Sequence, residues 1–115
     1  MENAAELEKE LQKWQREFKK GFTKPIILLT LSYQESYPFQ LTKIIRNLTK
    51  GQIEVATTNI YPILKQLADT GFINRREDAD SPRTFYCITE KGQQFIKHLK
   101  EMIKTFFFDI EEILT

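Results

Sequence analysis

The sequence predicts a mainly α-helical chain with a two-stranded antiparallel β hairpin. Apolar residues recur at helical spacing along most of its 115 residues. Two short β-leaning runs, Phe72 to Arg76 and Arg83 to Ile88, flank the turn-rich connection EDADSP. A chain of this length supports one compact core rather than two.

The elements follow in order. Between about Ala4 and Lys20, Leu7, Leu11, Trp14 and Phe18 make a stripe about 60° wide, the width of a coiled-coil seam, so this helix needs a partner surface. Gly21 is expected to end it by offering an easy C′ position. Pro25 suits the first turn of a second helix, PIILLTLSY, apolar nearly all round and therefore central. Pro38 opens a third, FQLTKIIRNL, in which Leu41, Ile44, Ile45 and Leu48 share one face and Lys43 and Arg46 the opposite one. After a turn at Lys50-Gly51-Gln52 comes a fourth helix with Ile60, Ile63, Leu64 and Leu67 inward, closed by Gly71.

Thr89 suits the N-cap of a last helix from about Glu90 to Leu114. Its apolar residues from Phe95 to Leu114 span an arc of about 140° at ~100° per residue, broader than one seam. Such an arc can cover the domain's own helices on one edge and a second subunit on the other. Phe108 points away from it, among Glu101, Lys104 and Glu112.

Pro62 poses a local question. If Asn59 caps the fourth helix, Pro62 is its third residue and costs no hydrogen bond. If the cap is Ala56 or Thr57, Pro62 lies inside the helix and breaks the bond to Thr58. Either way its ring faces outward, near Thr58, Lys65 and Asp69.

Several function classes are excluded at this level. The longest apolar runs fall well short of the ~20 residues that span a bilayer. The opening MENAAELEKE is acidic where a signal peptide would be basic and then apolar, so a cytoplasmic location without membrane is expected. Cys87 is the only cysteine and His98 the only histidine, which gives no disulfide and no metal-ligand cluster; neither metal nor cofactor is expected. There is no paired-carboxylate site and no phosphate-cradling glycine loop, so the chain is not expected to be an enzyme. Net charge is only +1, but its distribution is uneven. Residues 24 to 76 carry seven Lys and Arg against three acids, whereas residues 1 to 20 are balanced, so the middle of the chain is basic.

Three helices and a hairpin compose a winged helix-turn-helix, and particular residues go further. The run IYPILKQLADTGFI resembles the recognition helix of PadR-like transcriptional regulators, with a Tyr-Pro pair, leucines at helical spacing and a closing Gly. RTFYCITEKG is similar to that family's second wing strand and the start of its last helix, and PIILLTL followed by PFQLTKII to its first two domain helices. The resemblance covers roughly Lys24 to Gly92 and implies a fold that is mainly α with a two-stranded β wing. It divides the chain into an N-terminal dimerisation helix (1–21), a DNA-binding winged helix-turn-helix (22–89) and a C-terminal dimerisation helix (90–115).

Major-groove reading needs short polar side chains near a helix N-terminus and cations for phosphates. Thr57, Thr58, Asn59, Lys65 and Gln66 supply them, although Thr57 and Thr58 also suit simple capping and Lys65 a solvated charge. The resemblance implies that Tyr61 flanks the DNA; periodicity alone allows a core tyrosine. Lys43 and Arg46 join the candidates from the third helix. Arg75 and Arg76 alternate, so only one easily faces a duplex, and Arg83 is the preferred wing contact. The acidic tip, Glu77, Asp78 and Asp80, argues against deep engagement of DNA by the wing.

The reading is a homodimeric regulator of double-stranded DNA, expected to repress as its relatives mostly do, on an imperfect palindrome. Its dimer would join Leu7, Leu11, Trp14 and Phe18 to Leu99, Met102, Phe106, Ile110, Ile113 and Leu114. The alternative is a winged-helix module that binds protein and not DNA. Trp14 lines a ligand pocket only if it is not simple packing, and the identity of any small-molecule effector is unknown.

Overall fold

The computed structural model describes residues 3–115. Its elements are α1 (Ala4–Leu31), α2 (Pro38–Leu48), α3 (Thr57–Asp69), β1 (Ile73–Glu77), β2 (Thr84–Ile88) and α4 (Glu90–Ile110), followed by a 3₁₀ turn, Glu111–Leu114. The mainly α architecture with a two-stranded wing is thus present.

The helix break expected at Gly21, and the new start at Pro25, do not occur. One helix of 28 residues runs through both. Pro25 has no N–H for the carbonyl of Gly21 and crowds it, a local penalty of ~3 kcal/mol. Packing outweighs that penalty: Ile27, Leu28 and Leu31 are fully buried just beyond it, and Phe22, Ile26 and Leu29 lean on the same core. Nothing crowds Gly21, so its backbone has room to tilt away from the ring.

The core lies where the second half of α1 meets α2 and α3. Leu41 and Ile45 of α2, and Ile60, Leu64 and Leu67 of α3, are all but excluded from solvent, as are Ile27, Leu28 and Leu31. The α2–α3 turn is held by Thr49, whose hydroxyl donates to the Ile45 carbonyl at 2.8 Å and accepts from the Ile53 amide at 3.0 Å. Strand β1 pairs antiparallel with β2, Arg75 opposite Tyr86 and Arg76 opposite Phe85. Ser36, fully buried, exchanges backbone hydrogen bonds with Tyr86 at 2.9 and 3.1 Å, so the loop before α2 is stitched to the wing.

Helix α4 runs antiparallel to α1, and Phe107 stacks on Phe22 at 5.8 Å between ring centroids. Leu99, expected at a subunit interface, is instead buried in the chain's own core at 7% exposure. It sits early on α4, where the helix still crosses the domain. The last turn tightens to 3₁₀, leaving Ile113 and Leu114 largely in solvent. At the other end, α1 projects beyond the domain: Leu7, Leu11, Trp14 and Phe18 are each more than half exposed, and the molecule is 63 Å long but only 30 by 22 Å across.

One junction fixes α4 against the wing. Gly71, at φ +83°, ends α3 in the left-handed conformation that glycine adopts without penalty. The Thr89 hydroxyl donates to the Gly71 carbonyl at 2.6 Å and accepts from the Gly92 amide at 3.0 Å, while the Thr89 amide donates to the Phe72 carbonyl at 2.9 Å. A Cβ on Gly92 would lie 2.3 Å from the Phe72 carbonyl oxygen and 2.7 Å from the Ile88 side chain. Because the oxygen belongs to the backbone, no rotamer change relieves the clash. Gly92→Ala should therefore destabilise the protein by about 3 kcal/mol and lower its melting temperature by about 10 °C or more, read by thermal circular dichroism.

Candidate nucleic-acid interface

Helix α3 presents one polar, solvent-facing side. Thr58, Asn59, Tyr61, Pro62, Lys65, Gln66 and Asp69 are exposed, and Thr57 is half-buried. The N-cap is Ala56, which offers no side-chain acceptor; the Asn59 amide donates to the Ala56 carbonyl at 2.9 Å, and the amides of Thr57 and Thr58 at the positive end of the helix dipole are left uncapped. Neither Thr57 nor Asn59 is the cap. Pro62 consequently lies inside α3, and its α-helical bond to Thr58 is missing.

Two grooves flank α3 and meet at Phe39. The first, about 530 Å³, lies between α2 and the approach to α3 and is lined by Phe39, Thr42, Lys43, Arg46, Glu54, Val55 and Ala56. Lys43 and Arg46 thus stand beside the N-terminus of α3. The second, about 710 Å³, lies between α3 and the wing, with Tyr61, Lys65, Arg75 and Arg83 among its walls. The two grooves share Phe39, and their walls carry cations and aromatic rings together with one acid each, Glu54 and Asp69.

The candidate cations are held differently. Lys65 pairs with Asp69 at 3.1 Å, both well exposed, and a surface pair of this kind yields readily to a phosphate. Lys43 rests on the Phe39 ring, 4.4 Å from its centroid. Arg83 precedes β2 rather than opening it, and its guanidinium lies 4.5 Å above the ring of Tyr37. Arg75 lines the groove, with Glu77 3.7 Å away.

Arg76 is on the opposite face of the hairpin. Its guanidinium donates to Glu35 at 2.6 and 3.2 Å and stacks over Phe85, and the hydrogen bond to Glu35 raises its pKa. Of the two alternating arginines, Arg75 is therefore the one in the groove, and Arg76 does not join the other candidates. At the tip, Asp78 accepts from the amide of Asp80 at 3.1 Å and so shapes the turn it sits in.

Sequence reasoning passed over Tyr37, Phe39 and Glu35. Tyr37 and Glu35 precede α2 and belong to no periodic stripe. Phe39 carried a signal, a large ring outside the Leu41, Ile44, Ile45 and Leu48 face, and it is 54% exposed. His98 is exposed beside Met102 and Phe106. Cys87 is half-buried, its thiol 3.6 Å from the Asn74 carbonyl. No helix among the described residues is long and apolar enough to cross a membrane.

The family described as the transcriptional regulator PadR-like family matches residues 27–98, from the buried half of α1 into α4. The chain belongs to the PadR-like family. Transcriptional regulator YqjI of Escherichia coli (strain K12) is 32% identical over 90 residues, 78% of this chain and 43% of the relative. This PadR-like chain thus spans less than half the length of the curated relatives it matches. A transcriptional regulator from Clostridium thermocellum superposes with a TM-score of 0.76 at 25% identity, covering 86% of this chain and 99% of that one. A PadR family regulator from Eggerthella lenta reaches 0.77 at 18% identity, over 96% and 97% of the two chains, a likeness of fold.

Proposed function

We propose that this PadR-like protein is a DNA-binding transcriptional repressor that acts as a homodimer on an imperfect palindrome. The observation that carries the reading is the continuous exposed face of α3 with Lys43 and Arg46 on one side and Arg75 and Arg83 on the other. Thr58, Asn59 and Gln66 are the base readers. Lys43, Arg46, Lys65, Arg75 and Arg83, with the Tyr61 hydroxyl and the open amides at Thr57, hold phosphates.

The dimer follows from what one chain leaves uncovered. Leu7, Leu11, Trp14 and Phe18 form an apolar stripe with no domain beneath it, and Met102, Phe106, Ile113 and Leu114 are each more than half exposed at the far end of α4. A second copy would cover both, and Phe108, though it points away from the arc, is 75% exposed and available to the same interface. A two-fold would set the two α3 helices about 34 Å apart, on successive turns of the major groove. Domain boundaries at 1–21, 22–89 and 90–115 belong to the same proposal, the first of them crossed by an unbroken α1.

Duplex affinity measured against salt is the first test. Affinity should fall steeply with salt, and Lys65→Ala or Arg83→Ala should each flatten the slope by about one counterion. The acidic tip at Glu77, Asp78 and Asp80 favours a second reading, a winged-helix module that binds protein. Indifference to duplex DNA even at low salt would overturn the first reading and favour the second.

Assembly has a separate test. Leu11→Asp combined with Phe106→Asp should give a folded monomer by light scattering and weaken binding to a full palindrome far more than to a half-site. An unchanged hydrodynamic size would remove the dimer from the proposal.

A further inference from the structure

Within the DNA-reading role proposed above, we infer that Pro62 turns the main chain of α3 into a base reader. The carbonyl oxygen of Thr58 accepts a hydrogen bond from the exocyclic amino group of a cytosine or an adenine in the major groove.

The argument is geometric and chemical. Helix α3 begins at Thr57, so the carbonyl of Thr58 would ordinarily accept from the N–H of residue 62. Pro62 has no N–H, and its ring pushes against that carbonyl. Carbonyls on the solvent side of a helix already tilt outward, and this one has lost the bond that would draw it back. Thr58 and Pro62 are both exposed, on the face opposite Ile60 and Leu64. An acceptor on the solvent side of a helix needs a partner once a bound duplex displaces water there, since an unmade hydrogen bond at a closed interface is costly.

The groove restricts what that partner is. In the major groove the hydrogen-bond donors are the cytosine N4 and adenine N6 amino groups; guanine O6 and N7 and thymine O4 only accept. A carbonyl therefore selects C or A on one strand and repels G and T. Unlike an amide or hydroxyl side chain, it cannot rotate to present a donor instead. Position 62 is thus a specificity determinant that touches the base only through residue 58.

The test uses the full-length protein and duplexes in which each adenine is replaced by purine, or each cytosine by 2-pyrimidinone, one at a time, removing the amino group alone. One position should lose roughly 3- to 10-fold in affinity, the worth of one net hydrogen bond. That loss should persist in Thr58→Val, Asn59→Ala and Gln66→Ala, whose side chains are the competing acceptors, and vanish in Pro62→Ala. In Pro62→Ala the restored N–H satisfies the carbonyl internally, and the melting temperature should not fall. The inference is overturned if Pro62→Ala keeps every amino-group preference of the parent, or if each preference disappears with one of the side-chain variants. Wild-type binding without any sequence preference would overturn sequence reading by α3 together with it; specific binding without a main-chain position would overturn this inference alone.

Discussion

The end of α3, the first residues of the wing and the first turn of α4 are tied at a single place, where Thr89 bonds to Gly71, Phe72 and Gly92 at once. Those bonds satisfy the Gly71 carbonyl just beyond α3 and an amide in the first turn of α4, where helix ends otherwise leave polar groups to water. The absence of a side chain at Gly92 lets α4 approach the Phe72 carbonyl more closely than any Cβ would permit. The orientation of α4 against α3 is consequently set by the Thr89 hydroxyl bridge together with the close main-chain approach of Gly92 to Phe72. A displacement of the first turn of α4 therefore bears on the end of α3 with no long connection between them.

Electrostatics sort the wing in a way that net charge hides. Alternation along β1 sends Arg75 and Arg76 to opposite faces, and Glu35 then captures Arg76 on the far one. Aromatic platforms do comparable work for the cations that stay: Phe39 under Lys43 and Tyr37 under Arg83 restrain long side chains at the edges of the α3 face. A restrained cation loses less conformational entropy on meeting a phosphate than a free one. The acids of the tip act partly within the turn, through Asp78, so their presence is not in itself a measure of repulsion at the groove.

Much of this was legible in the sequence because the signals were periodic. Leu41 and Ile45, then Ile60, Leu64 and Leu67, mark the inner faces of α2 and α3, and EDADSP marks the hairpin. What was hidden depended on contacts between distant segments. Gly21 and Pro25 read as stop and start because local propensity is all that a short window contains, while the burial of Ile27, Leu28 and Leu31 that overrides it comes from α2 and α3. Leu99 lies on the same apolar arc as Met102 and Phe106, and only the length over which α4 crosses the domain separates core from free surface. The aromatic platforms required knowing that the loop before α2 is stitched to β2 through Ser36 and Tyr86.

The two helix-interior prolines show how one local defect takes different meanings from its surroundings. Both delete an i to i−4 bond, at Gly21 and at Thr58, and both are carried by fully buried neighbours: Ile27, Leu28 and Leu31 in α1, and Ile60, Leu64 and Leu67 in α3. Pro25 is half-buried and borders a small apolar cavity of about 200 Å³ with Leu28, Leu67, Phe95 and Leu99, so its ring contributes packing. Pro62 is exposed and outside the core cluster, so little burial offsets a penalty of ~3 kcal/mol. An alanine there would make a more stable helix at no loss of core. A residue that weakens a helix on its solvent face has its explanation outside the fold, in whatever that face meets.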